Sequence, residues 1–175
     1  MSIYPYYFEA NIEKFGVGKT RKVWYNVVFL PDELRAALPF AEYPRLRVEG
    51  EIADVPIANA FIPSGDGRSY VIVAPNVLKD GGVALGDRVE MRFRIADQDH
   101  VDVPQALKEA LERDEAARSH WEGLTPGKKR MVAKHVVSAK TERTRNKRVD
   151  EALAAIRVFG GEFRAWRNAW KGAKD

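Results

Sequence analysis

Two segments of this chain echo one another at a spacing of 44 residues. Val27 to Ile52 reads VVFLPDELRAALPFAEYPRLRVEGEI, and Val71 to Ile95 reads VIVAPNVLKDGGVALGDRVEMRFRI. Each passes from an apolar strand to Pro, two polar residues, a short helical turn around Leu34 or Leu78, and a second strand. Pro31 and Pro75 sit where a strand must stop and a helical turn must start. Proline suits that place because its fixed φ begins the turn and its missing N–H ends the pairing. A chain that repeats a β–turn–β unit without high identity is expected to bury the two copies against each other. The expected outcome is a pseudo-twofold barrel.

Six strands are predicted: 6–14, 22–29, 46–52, 57–62, 69–73 and 87–95. Their aromatic and β-branched residues are bounded by turn signals. The clearest signal is Pro63-Ser64-Gly65-Asp66-Gly67, a structural turn in which glycine tolerates the positive φ such turns demand. Gly16-Val17-Gly18-Lys19 marks a hairpin between the first two strands. Gly18-Lys19-Thr20 has the ending of a phosphate-binding loop. It lacks the first glycine of that pattern, Glu13 standing five residues before Gly18, and it lies between strands rather than opening a helix.

After Ala96 the periodicity changes from two to between three and four. Residues 97–103 read as an acidic linker, 104–159 as a helical subdomain, and 160–175 as a basic, aromatic helix or tail. The expected fold class is therefore α+β: a six-stranded barrel over 1–96 followed by helices. Ala106, Leu107, Ala110 and Leu111 form one apolar face. Met131, Val132, His135, Val136 and Ala139 form a second, and Val149, Ala152, Leu153 and Ile156 a third. In the tail, Phe159, Phe163, Trp166 and Trp170 fall at helical spacing with Arg164, Arg167 and Lys171 between them. That pattern suits packing on this chain or a second subunit, or contact with nucleic acid or a membrane surface.

Charge divides the chain along the same line. Residues 1–103 hold 12 Lys and Arg against 15 Asp and Glu, whereas residues 104–175 hold 17 against 10. The excess concentrates where helices begin. Thr125-Pro126 opens one helix with Lys128, Lys129 and Arg130 in its first turn. Thr141 opens the next, with Arg143, Arg145, Lys147 and Arg148 close behind. A helix N-terminus already carries about half a positive charge, so stability alone favours acids there. Bases at that place are tolerable on a solvated helical face and useful where an anion sits. Arg145 falls near the Val149, Ala152 and Ile156 stripe, which suits an inward-turned guanidinium that brackets the fold. Lys140, Arg143, Lys147 and Arg148 are the candidate anion-binding residues. No residue is assigned a catalytic role.

Other chemistry has little support. The chain has no cysteine, which excludes disulfides, thiol catalysis and thiolate metal sites and fits a reducing compartment. Neither a signal peptide nor a run of apolar residues long enough to span a membrane is present, and a cytoplasmic location is expected. Asp97, Asp99, His100 and Asp102 miss the spacing of a calcium loop, so no metal and no cofactor is expected. His120 and His135 are isolated from any recognisable nucleophile.

Several short motifs, in order, carry a family resemblance. Asp102-Val103-Pro104 with Leu107 and Leu111, Leu124 to Arg130, Ala139-Lys140, Thr144-Arg145 and Arg148-Val149 resemble the bacterial YdeI/OmpD-associated family, also labelled bacteriocin-protection proteins. The family usually has Glu before the Thr-Arg pair, where this chain has Arg143. Val48-Glu49-Gly50, Pro63 to Gly67 and Gly86-Asp87-Arg88-Val89 resemble the small β-barrel domain of unknown function that often precedes that helical region. The resemblance implies a double-split β-barrel akin to AbrB/MazE-like DNA-binding proteins. It also implies a link to envelope stress and to resistance against antimicrobial peptides, and it brings no established catalytic residues. The expected function is a non-enzymatic binding or stress-protection protein whose ligand or protein partner is anionic. Two alternatives stand beside it: a nucleic-acid-binding regulator, which is not favoured, and an enzyme acting on a small molecule in a barrel-helix cleft. Asp66 and Arg88 are the residues to watch for the enzyme. Oligomeric state is not legible in the sequence.

Overall fold

A computed structural model describes residues 3–159, the side chains of 158 and 159 excepted. The tail over 160–175 with its aromatic stripe therefore lies outside the described residues. The chain divides into two compact units between Gln98 and Asp99.

The first unit is a curled antiparallel sheet of seven strands. They are β1 (Tyr6–Asn11), β2 (Glu13–Val17), β3 (Val23–Phe29), β4 (Leu46–Ile52), β5 (Val55–Pro63), β6 (Ser69–Ile72) and β7 (Arg88–Ile95). Helix α1 (Asp32–Ala37) joins β3 to β4, and α2 (Pro75–Gly81) joins β6 to β7. The order across the sheet is β1-β7-β4-β5-β6-β3-β2. Seven strands replace the six expected because the first one divides at Ile12. Before that residue the chain pairs with β7, and after it with β3. Ile12 is buried, and its own N–H and C=O bond to Asp87 O and Gly86 N, each at 2.9 Å. The backbone thus stays satisfied while the strand changes partner. Because β1 and β2 adjoin in sequence yet stand at opposite ends of the order, the sheet must curl strongly.

The 44-residue echo reappears in the pairing. Val27 pairs with Ile72 and Val28 with Val71, so shifting either pair by the repeat produces the other. Glu49 with Arg94 and Gly50 with Phe93 obey the same exchange between β4 and β7. Pro31 stands at the N-cap of α1 and Pro75 opens α2 at its first turn. Alternation sets which side chains enter the core. Leu46, Val48, Gly50 and Ile52 of β4 are all buried and the residues between them are not. Leu46, Val48 and Ile52 join Phe8, Ile12, Val28, Phe61, Val71, Met91 and Phe93 in one cluster. Gly50 is required by space. A Cβ there would stand 2.0 Å from Arg92 O and 2.7 Å from Phe93 Cα, so β4 and β7 cross too closely for any side chain.

The second unit comprises α3 (Gln105–Arg113), α4 (Glu115–Glu122), α5 (Pro126–Val137) and α6 (Glu142–Phe159). Helix α6 packs against the other three. Leu107, Leu111, Ala117, Trp121, Leu124, Val132, Val136, Val149, Ala152, Ala155 and Ile156 form its core, which shares no residue with the first. The expected apolar face of α5 needs one correction. Met131 is exposed and Ala133 is buried in its place, because the face centres on Val132 and Val136, and the ~100° step per residue turns Met131 outward. Asp114 caps α4 by accepting from Ala117 N at 2.9 Å. Its other carboxylate oxygen meets Arg157 Nη1 at 3.3 Å, fastening α6 to the α3–α4 corner.

Candidate functional site

The α5–α6 corner gathers the expected anion-binding residues. Thr125 Oγ1 caps α5 by accepting from Lys128 N at 3.4 Å, and Thr141 Oγ1 accepts from Thr144 N at 3.2 Å at the start of α6. Both helices therefore open where the cap signals stand in the sequence. Between them, Ser138 ends α5 and Ala139 is buried. Lys140, Arg143 and Lys147 are exposed. Among the described residues, neither Lys140 nor Arg143 has an acidic partner, while Lys147 Nζ stands 4.0 Å from Glu151 Oε1.

Arg148 is placed differently. Its Nη1 donates to His135 O at 3.0 Å and to Ser138 Oγ, and it is half-buried. This guanidinium closes the last turn of α5, where carbonyls lack helical partners and the dipole is negative. Arg145 is also half-buried, and among the described residues its guanidinium has no hydrogen-bonding or acidic partner. The bracket within this helix pair is thus made by Arg148.

His135 completes the corner. Its ring faces Glu151, with Nε2 3.1 Å from Oε2. A carboxylate only accepts, so this nitrogen carries the proton. Burial is the first cause that pushes the His135 pKa below the ordinary histidine value. The Glu151 hydrogen bond pulls it up and the Arg148 charge pushes it down again.

The bases at the start of α5 serve other contacts. Lys129 Nζ lies 5.9 Å from the Trp121 ring centre, and Arg130 Nη1 donates to His100 O at 3.0 Å. Beside them is a groove of about 490 Å³ lined by Val101, Asp102, Val103, Lys108, Leu111, Glu112, Arg118 and Trp121. Its floor is apolar. All four of its charged side chains are exposed. Spacing in the sequence does not reveal this groove, because its walls come from a loop and two helices. Asp97, Asp99, His100 and Asp102 do not converge as a ligand set. His100 Nε2 meets Asp102 Oδ1 at 2.7 Å, and among the described residues no group of three or more acids and histidines is arranged to hold a metal. Asp97 and Gln98 lie in the loop after β7 and belong to the first unit. Gln98 bonds Arg47 N and O, each at 2.9 Å, and Arg47 Nη1 donates to Asp97 O.

Asp66 and Arg88 are held in turn and strand contacts. Asp66 accepts from the Arg68 guanidinium at 2.7 Å, from Ser64 Oγ and from Arg68 N at 3.1 Å, which in that order keep its carboxyl well below the usual range. Gly65 and Gly67 flank it with φ of 89° and 92°, a region open to glycine. Arg88 Nε donates to Glu9 at 2.7 Å on the solvent side of β1 and β7. Neither residue lines the groove beside Trp121.

Comparison with protein families divides the chain where the structure does. Residues 100–157 match the family described as bacteriocin-protection, YdeI or OmpD-associated, and residues 8–93 match a domain of unknown function, DUF1905. The helical unit belongs to the bacteriocin-protection, YdeI or OmpD-associated family. The curled sheet that precedes it is a DUF1905 domain. No curated protein matches the chain. The family match covers α3 to most of α6, including Asp102-Val103-Pro104, the groove and the α5–α6 corner.

Proposed function

We propose that this member of the bacteriocin-protection, YdeI or OmpD-associated family is a non-enzymatic binding and stress-protection protein that engages an anionic ligand or partner through the α5–α6 corner. The observation that carries this reading is the pair of exposed cations Lys140 and Arg143, without acidic partners among the described residues, beside the N-terminus of α6. The helix dipole adds positive potential there, while Glu142 offsets part of it. Lys147 extends the surface. Arg148 sets its geometry by holding α5 against α6 and keeps its remaining guanidinium nitrogens for a ligand at the same corner. The first unit is read as a double-split barrel in which β1 and β2 act as one strand closing the sheet. The exchange of pairings under the 44-residue shift supports its pseudo-twofold relation. We assign the protein to the cytoplasm, a location its cysteine-free composition permits. Among the described residues, no helix is long and apolar enough to cross a membrane.

The test is a salt titration with two fluorescent polyanions, inorganic polyphosphate and a DNA duplex. Binding to polyphosphate should weaken linearly in log–log form as salt rises. Lys140→Ala and Arg143→Ala should each lower the slope by about 1. Salt-insensitive binding, or none, would sink the reading. Tighter binding to DNA than to polyphosphate at equal charge would favour the regulator instead.

A further inference from the structure

The β2–β3 hairpin is the part of the first unit least explained by folding. Every residue from Val17 to Trp24 is exposed. Of the eight large exposed hydrophobics among the described residues, three fall in this run: Val17 at 37%, Val23 at 50% and Trp24 at 60%. Val17 and Val23 are cross-strand partners and occupy one face of the ribbon. Trp24 is opposite Gly16 and so occupies the other. Gly16 is what allows the indole to lie against the strand, since a Cβ there would stand 3.1 Å from Trp24 Cζ3. The tip is thus apolar on both faces, and neither face is covered by the sheet.

The same hairpin is strongly cationic. Lys14, Lys19, Arg21 and Lys22 are all exposed, and among the described residues none forms an ion pair. Lys22 Nζ stands 5.8 Å from the Trp24 ring centre. Glu13 is the sole acid between residues 13 and 25. The negative balance of the first 103 residues conceals this cluster, which a narrower charge count reveals.

We infer that the β2–β3 hairpin is an interfacial wedge for an anionic lipid surface. Two aliphatic side chains and an indole at the tip of a basic ribbon match the boundary between headgroups and acyl chains. Apolar groups gain there from leaving water, and Lys and Arg stay among the phosphates. A nucleic acid would satisfy the cations but offers little to exposed valines, because its contacts are dominated by phosphates. A wedge apolar on both faces suits a medium that surrounds it rather than a single flat partner. This hairpin belongs to the first unit and the α5–α6 corner to the second, and the inference does not rest on that reading.

The experiment is co-sedimentation of the full chain with phosphatidylcholine vesicles, either pure or with one lipid in three replaced by phosphatidylglycerol. Binding is expected to the anionic vesicles alone and to weaken with salt. Lys19→Gln and Arg21→Gln should each reduce partitioning about fivefold. Trp24→Ser should reduce it on the order of tenfold. Lys140→Ala with Arg143→Ala should leave it unchanged, which separates this surface from the proposed anion site. Thermal melts guard against misfolding, and the two turn variants remain informative even if Trp24→Ser destabilises the ribbon. No binding to the anionic vesicles overturns the inference. So does binding that ignores all three hairpin substitutions, or loss of oligonucleotide binding in those variants while vesicles are left alone.

Discussion

His135 shows how one side chain couples packing to pH. Its pKa is held below the ordinary 6.5, which favours the neutral ring, and burial is the main reason. The unfolded chain therefore binds a proton that the folded one resists, so the stability contributed by neutral His135 is intact above about pH 6.5 and declines as pH falls below it. Unfolding in urea between about pH 7 and pH 5.5 should show a steeper loss of stability for the native sequence than for His135→Gln. Equal slopes would mean that the Glu151 hydrogen bond cancels the cost of burial. The sequence placed His135 on an apolar face. It did not reveal Glu151 as its partner, because that contact depends on how α5 and α6 rotate against each other.

Helix α5 ends with one carbonyl and its C-cap hydroxyl served by a residue thirteen and ten positions away. Arg148 donates to His135 O and Ser138 Oγ across the turn, joining two elements rather than two turns of one. Arg148→Met keeps much of the aliphatic stem but removes the charged donor. It should destabilise the helical unit by about 1–2 kcal/mol in a denaturant melt. Lys147→Ala, one residue earlier but exposed, should change it by less than about 0.5 kcal/mol. A comparable loss in both variants would remove Arg148 from this role. Both helix starts were legible because Thr125 and Thr141 are local cap signals. The division of labour between Arg145 and Arg148 was not legible, because 100° per residue separates faces only coarsely and long side chains reach around a helix.

The two units keep separate cores, with no buried residue in common. Residues 1–98 expressed alone should therefore unfold cooperatively, with a sigmoidal near-ultraviolet transition. A gradual, non-cooperative melt would show that the sheet needs the helical unit. The echo between Val27–Ile52 and Val71–Ile95 suggested two matching halves, and the pairs between β3 and β6 and between β4 and β7 exchange under the same 44-residue shift. The split at Ile12 was hidden because the stretch over 6–14 carries continuous strand-forming residues. What divides it is the presence of two different neighbours, β7 and β3, which lie far along the chain.

Local chemistry was enough to determine the β-then-α order, the proline-led turns, the helix caps, the glycine-flanked Asp66 turn and the family. Each depends on residues within a few positions, or on motifs whose order survives folding. Tertiary structure alone decided which arginine closes α5, which charges at the α5–α6 corner lack acidic partners among the described residues, and where the groove beside Trp121 opens. Those outcomes arise from the spacing between elements and from competition among side chains for the same carbonyls and carboxylates. The same holds for the hairpin from Val17 to Trp24. Its residues read as an ordinary pair of strands until the sheet leaves both faces of the tip in solvent.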